Sequence, residues 1–203
     1  MRSIMRGVST DSLEPSDSEL IARAQTGERE AFAMLYRRHQ VVVYRFARAM
    51  TRSDTMAEDV VQEVFLGFMR QLGRYDASRA VLTTYLFGVA RNISRHRMRG
   101  LRRLTSLDAA GDPVSMDDPA ARVAQSDQVR HVRAGIAALP MRYREVILLC
   151  DIHDLSYVDA AAALRVPLGT VRSRLHRARQ QLLERLQRRE TRTSLPVPKR
   201  CVI

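Results

Sequence analysis

The stretch Ser156 to Leu186, reading SYVDAAAALRVPLGTVRSRLHRARQQLLERL, constrains this chain more than any other. It specifies a short helix, a turn through Val166 and Pro167, and a longer helix that is apolar on one side and basic on the other. Ser156 followed three residues on by Asp159 is close to a capping box. The hydroxyl accepts from an otherwise orphan backbone donor while the acid suits the positive helix end, so a helix starts near Tyr157. Alanines 160 to 163 cost little side-chain entropy and keep the surface slim enough for a neighbouring helix to approach. Pro167 stands where a missing amide donor is harmless, at or just before the first turn of the second helix. There Val171, Leu175, Ala178, Leu182 and Leu186 recur at three or four residues and form one apolar stripe. Thr170, Ser173, Arg177 and Gln180 fall away from it, with Arg172, Arg174 and Arg179 on the flanks. From Arg165 to Arg189 eight arginines stand against one acid, Glu184. A solvated basic face would explain the charge alone. The capped helix and proline turn in front of it favour a helix-turn-helix whose second helix faces a polyanion.

The remainder is consistent with an all-α chain of two small helical domains joined by a flexible linker, the C-terminal one holding the helix-turn-helix. Alternating strand patterns are few and 3.6-residue patterns dominate. The net charge of +12 favours nucleic acid or another acidic surface as partner. Two cysteines, Cys150 and Cys201, make no disulfide framework and fit a reduced, cytoplasmic compartment. No apolar run approaches the ~20 residues of a membrane span, and the opening MRSIMRGVSTDS lacks the apolar core of a signal peptide, so a soluble chain without membrane insertion is expected.

In chain order, a polar segment is followed by a helix near Glu19 capped by Ser16 or Ser18. Gly27 interrupts it before a second helix carrying Ala31, Phe32, Leu35, Tyr36, Val42, Val43, Phe46 and Met50. Thr51 to Thr55 is a break. A long helix then runs from Met56 to Leu72, where Asp59, Gln62 and Glu63 make an acidic and polar cluster: either ordinary solvation or a docking surface for a basic partner. Gly73 to Thr83 reads as a loop. The next helix, Thr83 to Arg99, sets Tyr85, Phe87 and His96 beside arginines 91, 95, 97 and 99. That mixture suits separated nucleic-acid strands, although aromatics at helical spacing are more often core. Residues 100–126, with Gly111, Pro113, Pro119 and several acids, read as the linker between domains 18–99 and 127–188. Residues 189–203 read as a flexible tail. In the second domain Val129, Val132, Ile136 and Leu139 make one stripe ended by Pro140, and Tyr143, Val146, Ile147, Leu149 and Cys150 make the next.

With these pieces in order, the chain resembles the extracytoplasmic-function group of bacterial sigma-70 factors over roughly residues 18–187. Asp59-Val60-Val61-Gln62-Glu63-Val64-Phe65 resembles the region-two helix. The resemblance implies that Asp59, Gln62, Glu63 and Phe65 contribute to the surface that docks on core RNA polymerase. Leu82-Thr83-Thr84-Tyr85-Leu86-Phe87-Gly88-Val89-Ala90-Arg91-Asn92 resembles the following promoter-melting segment, with Tyr85 where the family often has Trp. It implies minus-ten contacts from Tyr75, Asp76, Ser78, Arg79, Arg91, Asn92 and Arg95. Leu139-Pro140, Arg144 to Leu149, Leu155-Ser156-Tyr157 and Pro167 to Leu175 resemble region four. They imply reading of the minus-thirty-five element by Thr170, Arg172, Ser173 and Arg177, with Arg174 and Arg179 on phosphates. Asp154 and Arg165 stand where relatives commonly carry Gly.

The implied function is promoter recognition as a dissociable subunit of RNA polymerase, with double-stranded and melted promoter DNA and an anti-sigma factor as further partners. No catalytic residue, metal ligand set or cofactor is expected. His39, His96, His131, His153 and His176 are scattered, Cys150 with His153 is a lone two-ligand spacing, and neither a zinc signature nor a phosphate loop is present. Two other readings remain: a homodimeric repressor or activator using the same helix-turn-helix, and a regulatory protein whose basic surfaces bind acidic protein.

Overall fold

The structure is a computed structural model that describes residues 15–76, 81–105 and 127–193. Every regular element among these residues is helical: α1 Asp17–Gln25, α2 Arg29–Thr51, α3 Asp54–Gln71, a 3-10 turn Leu72–Arg74, α4 Leu82–Thr105, α5 Asp127–Ala137, α6 Met141–Ile147, a π turn Leu148–Ile152, α7 Tyr157–Leu164 and α8 Leu168–Thr193. None of these helices is long and apolar enough to cross a membrane.

Helices α1 to α4 share one aliphatic and aromatic core. Ser16, rather than Ser18, starts α1 through a full capping box: its hydroxyl accepts from Glu19 N at 3.3 Å and its own amide donates to the Glu19 carboxylate at 2.7 Å. Asp17 then fastens α1 to α2 by pairing with Arg38 and His39, each at 2.7 Å. Arg52, left-handed at φ 63°, ends α2, and Ser53 caps α3, so α3 folds back along α2 through a two-residue connection. Leu20, Leu35, Phe46, Met50, Val60, Val64, Phe68 and Leu86 are all sealed from solvent. Full burial of each such aliphatic or aromatic side chain contributes about 1.5–3 kcal/mol.

Helices α5 to α8 make the second unit around Leu139, Val146, Ile147, Leu149, Leu164, Val171 and Leu175. Arg144 organises its entry. Its guanidinium donates to Ala137 O and, at 3.1 Å, to Leu139 O, satisfying carbonyls at the end of α5. Close approach of α5 and α8 depends on Gly135, where an added Cβ would stand 2.8 Å from Leu182. The π turn ends in a bend at His153, whose amide donates to Leu148 O at 3.0 Å.

The two units pack directly on one another. Gly88 of α4 lies against α7, its would-be Cβ only 3.5 Å from Ala163 O. His153 inserts its ring between Phe46 and Phe87, with centroid distances of 6.1 and 4.8 Å. Arg144 also reaches across to donate to Met50 O at the end of α2, at 3.0 Å.

Three expectations change. The helix expected over Thr83 to Arg99 continues to Thr105, because Gly100 has open space around it and a single glycine costs a helix only about 1 kcal/mol. The last helix likewise extends beyond Arg188 to Thr193. Phe87, considered above as a stacking surface, is 1% exposed and belongs to the core between Phe46 and His153. The tail positions 1–14 and 194–203, and linker positions 106–126, lie outside the described residues.

Candidate nucleic-acid and polymerase interface

The helix-turn-helix forms as its local chemistry dictates. Ser156 accepts from Asp159 N at 3.1 Å and donates to the Asp159 carboxylate at 2.5 Å, and α7 begins at Tyr157. Arg165 closes α7 in the left-handed region at φ 53°, ψ 50°, and Asp154 is left-handed as well. These are the two positions at which glycine was expected by resemblance. Val171, Leu175 and Ala178 are buried, so the opposite face of α8 is turned outward.

On that outward face Arg172, Ser173, Arg177 and Arg179 are exposed, and Thr170 and Arg174 are half-buried. Thr170, Ser173, Arg174 and Arg177 line a polar concavity of about 300 Å³ together with Arg142 and Tyr143 of α6. Arg142 lies 4.8 Å from the Tyr143 ring centroid, and the Arg177 hydrogen bond, followed by Arg142, holds the Tyr143 phenol below its ordinary pKa. Three guanidiniums around a polar hollow are chemistry suited to an anion. Sequence periodicity placed Tyr143 in the core, where it is 5% exposed, but passed over Arg142, since a residue just after Leu139-Pro140 gives no sign of reaching the next-but-one helix. Arg179 differs from its neighbours: it makes a two-pronged pair with Asp151 at 3.0 and 2.6 Å, which raises its pKa.

The four positions expected to face polymerase, Asp59, Gln62, Glu63 and Phe65, divide between two faces of α3. Asp59 and Glu63, one turn apart, both pair with Arg97 of α4, the Asp59 contact at 2.6 Å. Their hydrogen bonds raise the Arg97 pKa, with Glu63 the larger cause. Gln62 and Phe65 instead line an open groove of about 490 Å³ between α2 and α3, with Tyr36, Val41, Leu66 and Met69 among its walls. Phe65 is 4% exposed and packs edge-on against Tyr36 at 4.8 Å, so it supports the groove floor. Val41 and Met69 are 47% and 50% exposed, part of an apolar lining in which Glu58 is the charged residue. The signal for this groove was a second apolar stripe on α3, Phe65, Leu66 and Met69, offset from the stripe facing the core.

The positions expected to contact the minus-ten element are also unequal. Tyr75 packs edge-on against Phe68 and Tyr85, each at 5.4 Å, and burial pushes its phenol up. Tyr85 belongs to the same cluster and donates from its hydroxyl to Gln71 at 3.2 Å, a structural role for the ring that replaces Trp. Gln25 steadies this turn by donating to Leu72 O at 2.9 Å and Tyr75 O at 3.1 Å. Asp76 and Asn92 are exposed, and Arg95 is half-buried. Arg91 is 7% exposed and faces the second unit. Ser78 and Arg79 lie outside the described residues.

Comparison with known proteins matches this division. Residues 35–104 match the family profile for Sigma-70 region 2, and residues 131–182 that for Sigma-70, region 4. The chain is 34% identical to the ECF RNA polymerase sigma factor SigE of Mycolicibacterium smegmatis, covering 91% of this chain and 75% of that protein. It is 35% identical to the ECF RNA polymerase sigma factor SigM of Mycobacterium tuberculosis, covering 83% and 84%. Among solved structures it is similar to CnrH in complex with the cytosolic domain of CnrY, with TM-score 0.65 and 28% identity over 85% of this chain and 97% of that one; CnrH is an RNA polymerase sigma factor of Cupriavidus metallidurans. The sigma factor RpoE of Bartonella quintana, solved with the anti-sigma factor NepR, gives TM-score 0.64 and 26% identity over 77% and 96%. The two-unit helical fold, the basic helix-turn-helix and these matches together place the chain in the extracytoplasmic-function group of the sigma-70 family.

Proposed function

We propose that this sigma factor docks on core RNA polymerase through the α2–α3 groove and directs initiation by reading two promoter elements with its two helical units. As a family member it is a specificity subunit, and the chemistry of nucleotide addition belongs to the polymerase. The observation that carries the proposal is the arrangement of two unlike surfaces: an apolar groove walled by Leu66 and Met69, and a basic α8 face around the Arg142, Arg174 and Arg177 hollow. The groove suits a protein helix; the hollow suits phosphate.

In this reading α8 lies in a major groove, Thr170, Arg172, Ser173 and Arg177 reach base edges, and Arg174 with Arg142 fixes the register on phosphates. Tyr143 orients Arg142 and Arg177. Arg179 reaches phosphate once released from Asp151. The turn held by Gln25, the exposed Asp76 and Asn92, and Arg91 and Arg95 engage the melted minus-ten strand, where unstacked bases offer their edges. Asp59 and Glu63 supply the acidic margin of the polymerase-facing surface. An anti-sigma protein restrains the factor, as the solved complexes of its relatives with such partners suggest.

Selection of duplex DNA by the reconstituted holoenzyme, followed by sequencing, tests this. A two-element consensus is expected, with the upstream element changing when Thr170 or Arg172 is replaced. Recovery of a palindrome bound by a homodimer without polymerase would instead support the repressor reading.

A further inference from the structure

Arg91 and Arg95 already hold an anion. Glu145 of α6 is fully buried at 0% exposure, and its two carboxylate oxygens lie 3.1 Å from Arg91 Nε and 3.5 Å from Arg95 Nε. A buried carboxylate is stable only with a compensating charge close by. Here that charge comes from the other helical unit, across the seam between α4 and α6. The contact is electrostatic rather than directional: Arg91 Nε and both Glu145 oxygens have no hydrogen-bond partner among the described residues. Separation of the units would return Glu145 to water and release both guanidiniums. The same α4 segment is covered by α7 at Gly88 and Ala163, and by His153 at Phe87. A nucleic-acid strand therefore cannot reach Arg91 while the units remain packed.

We propose that Glu145 occupies, in the closed chain, the anion seat of Arg91 and Arg95 that a phosphate of the melted promoter strand takes in the open chain. Closure of the units and capture of the strand then exclude one another. This rests on the minus-ten reading of Arg91 and Arg95, and the test separates the two.

The full chain, with Cys150 and Cys201 replaced by serine, is spin-labelled at the exposed positions Arg29 and Leu183 for pulsed dipolar distance measurement. The ligand is a mixed-sequence single strand of roughly 20 nucleotides, long enough to span a binding face. The labelled chain with Glu145 retained gives one distance that lengthens as the strand is added. Glu145→Gln leaves Arg91 without its counter-charge and raises the open-to-closed ratio on the order of 100-fold without DNA. A Gly88→Cys/Ala163→Cys disulfide holds the units shut and weakens strand binding at least roughly tenfold, restored by reductant. That second variant keeps the proposal testable if Glu145→Gln folds poorly. An unchanged distance in a folded Glu145→Gln chain, or undiminished strand binding by the disulfide-locked chain, overturns the exchange. If the chain opens but Arg91→Gln in that open background binds the strand as before, the minus-ten reading fails and the shared seat fails with it.

Discussion

Replacing Leu66 and Met69 together by alanine removes the exposed apolar wall of the α2–α3 groove. These side chains are 39% and 50% exposed, so a polymerase helix seated there takes about those fractions out of water. Full burial of a Leu or Met contributes about 1.5–3 kcal/mol, so the two exposed shares together contribute about 1.3–2.7 kcal/mol to binding. That corresponds to a Kd for core polymerase roughly 10- to 100-fold weaker. Alanine retains one methyl group, which places the expected loss in the lower part of that range. Fluorescence anisotropy of the labelled chain titrated with core polymerase reads it directly. The rest of each side chain packs against the fold, so Tm falls as well, and affinity is read at a temperature where the variant stays folded. Phe65→Ala makes the contrast in degree, because that ring is 4% exposed and its loss falls mainly on Tm. Core-polymerase affinity within twofold of wild type for the folded Leu66/Met69 double variant would refute the assignment of the groove.

Arg165→Gly relieves a left-handed non-glycine residue at the end of α7 and is expected to raise stability by about 1 kcal/mol in urea denaturation. Arg174→Gln should weaken DNA binding on all sequences and reduce the slope of log K against log salt by about one, whereas Thr170→Val should change base preference and leave that slope alone. His153 sits between Phe46 and Phe87, and burial, then Arg45, hold its pKa below the ordinary value while Asp154 opposes them. Its neutral form is the one the packed state favours. Stability is therefore full above the unfolded pKa of about 6.5 and declines as pH falls below it towards the lower folded value. Thermal melts between pH 8 and pH 5 should show that decline, and His153→Phe should flatten it.

Much of the fold was legible because the deciding interactions are local. Ser156 and Asp159 are three residues apart, and a cap needs nothing else; the start of α7 at Tyr157 follows. Val171, Leu175 and Ala178 repeat with the helix period, so the buried face of α8 and its basic opposite face follow together. The left-handed Arg165 was legible by resemblance, from a position where a relative's glycine marks the backbone. What could not be read depends on pairs distant in the chain. Glu145 reads locally as one more polar residue in an apolar helix, and nothing near it indicates that Arg91 and Arg95 will neutralise it. The quartet proposed to face polymerase looked like a single cluster because Asp59, Gln62, Glu63 and Phe65 adjoin in sequence. On a helix, 59 with 63 and 62 with 65 face different neighbours, and Arg97 takes the first pair. Arg142 escaped because Tyr143, which it shares with Arg177, meets Arg177 only once α6 and α8 have packed.

The central claim is that this chain confers promoter selectivity on a polymerase that lacks it. The direct measurement is run-off transcription by core RNA polymerase, with and without the purified chain, on a template bearing the two-element sequence selected by the holoenzyme. A discrete transcript is expected only with the chain present, weakened by Leu66→Ala/Met69→Ala in proportion to lost core-polymerase binding and abolished when either promoter element is scrambled. Absence of any chain-dependent transcript, from folded protein free of bound inhibitor, would contradict the account.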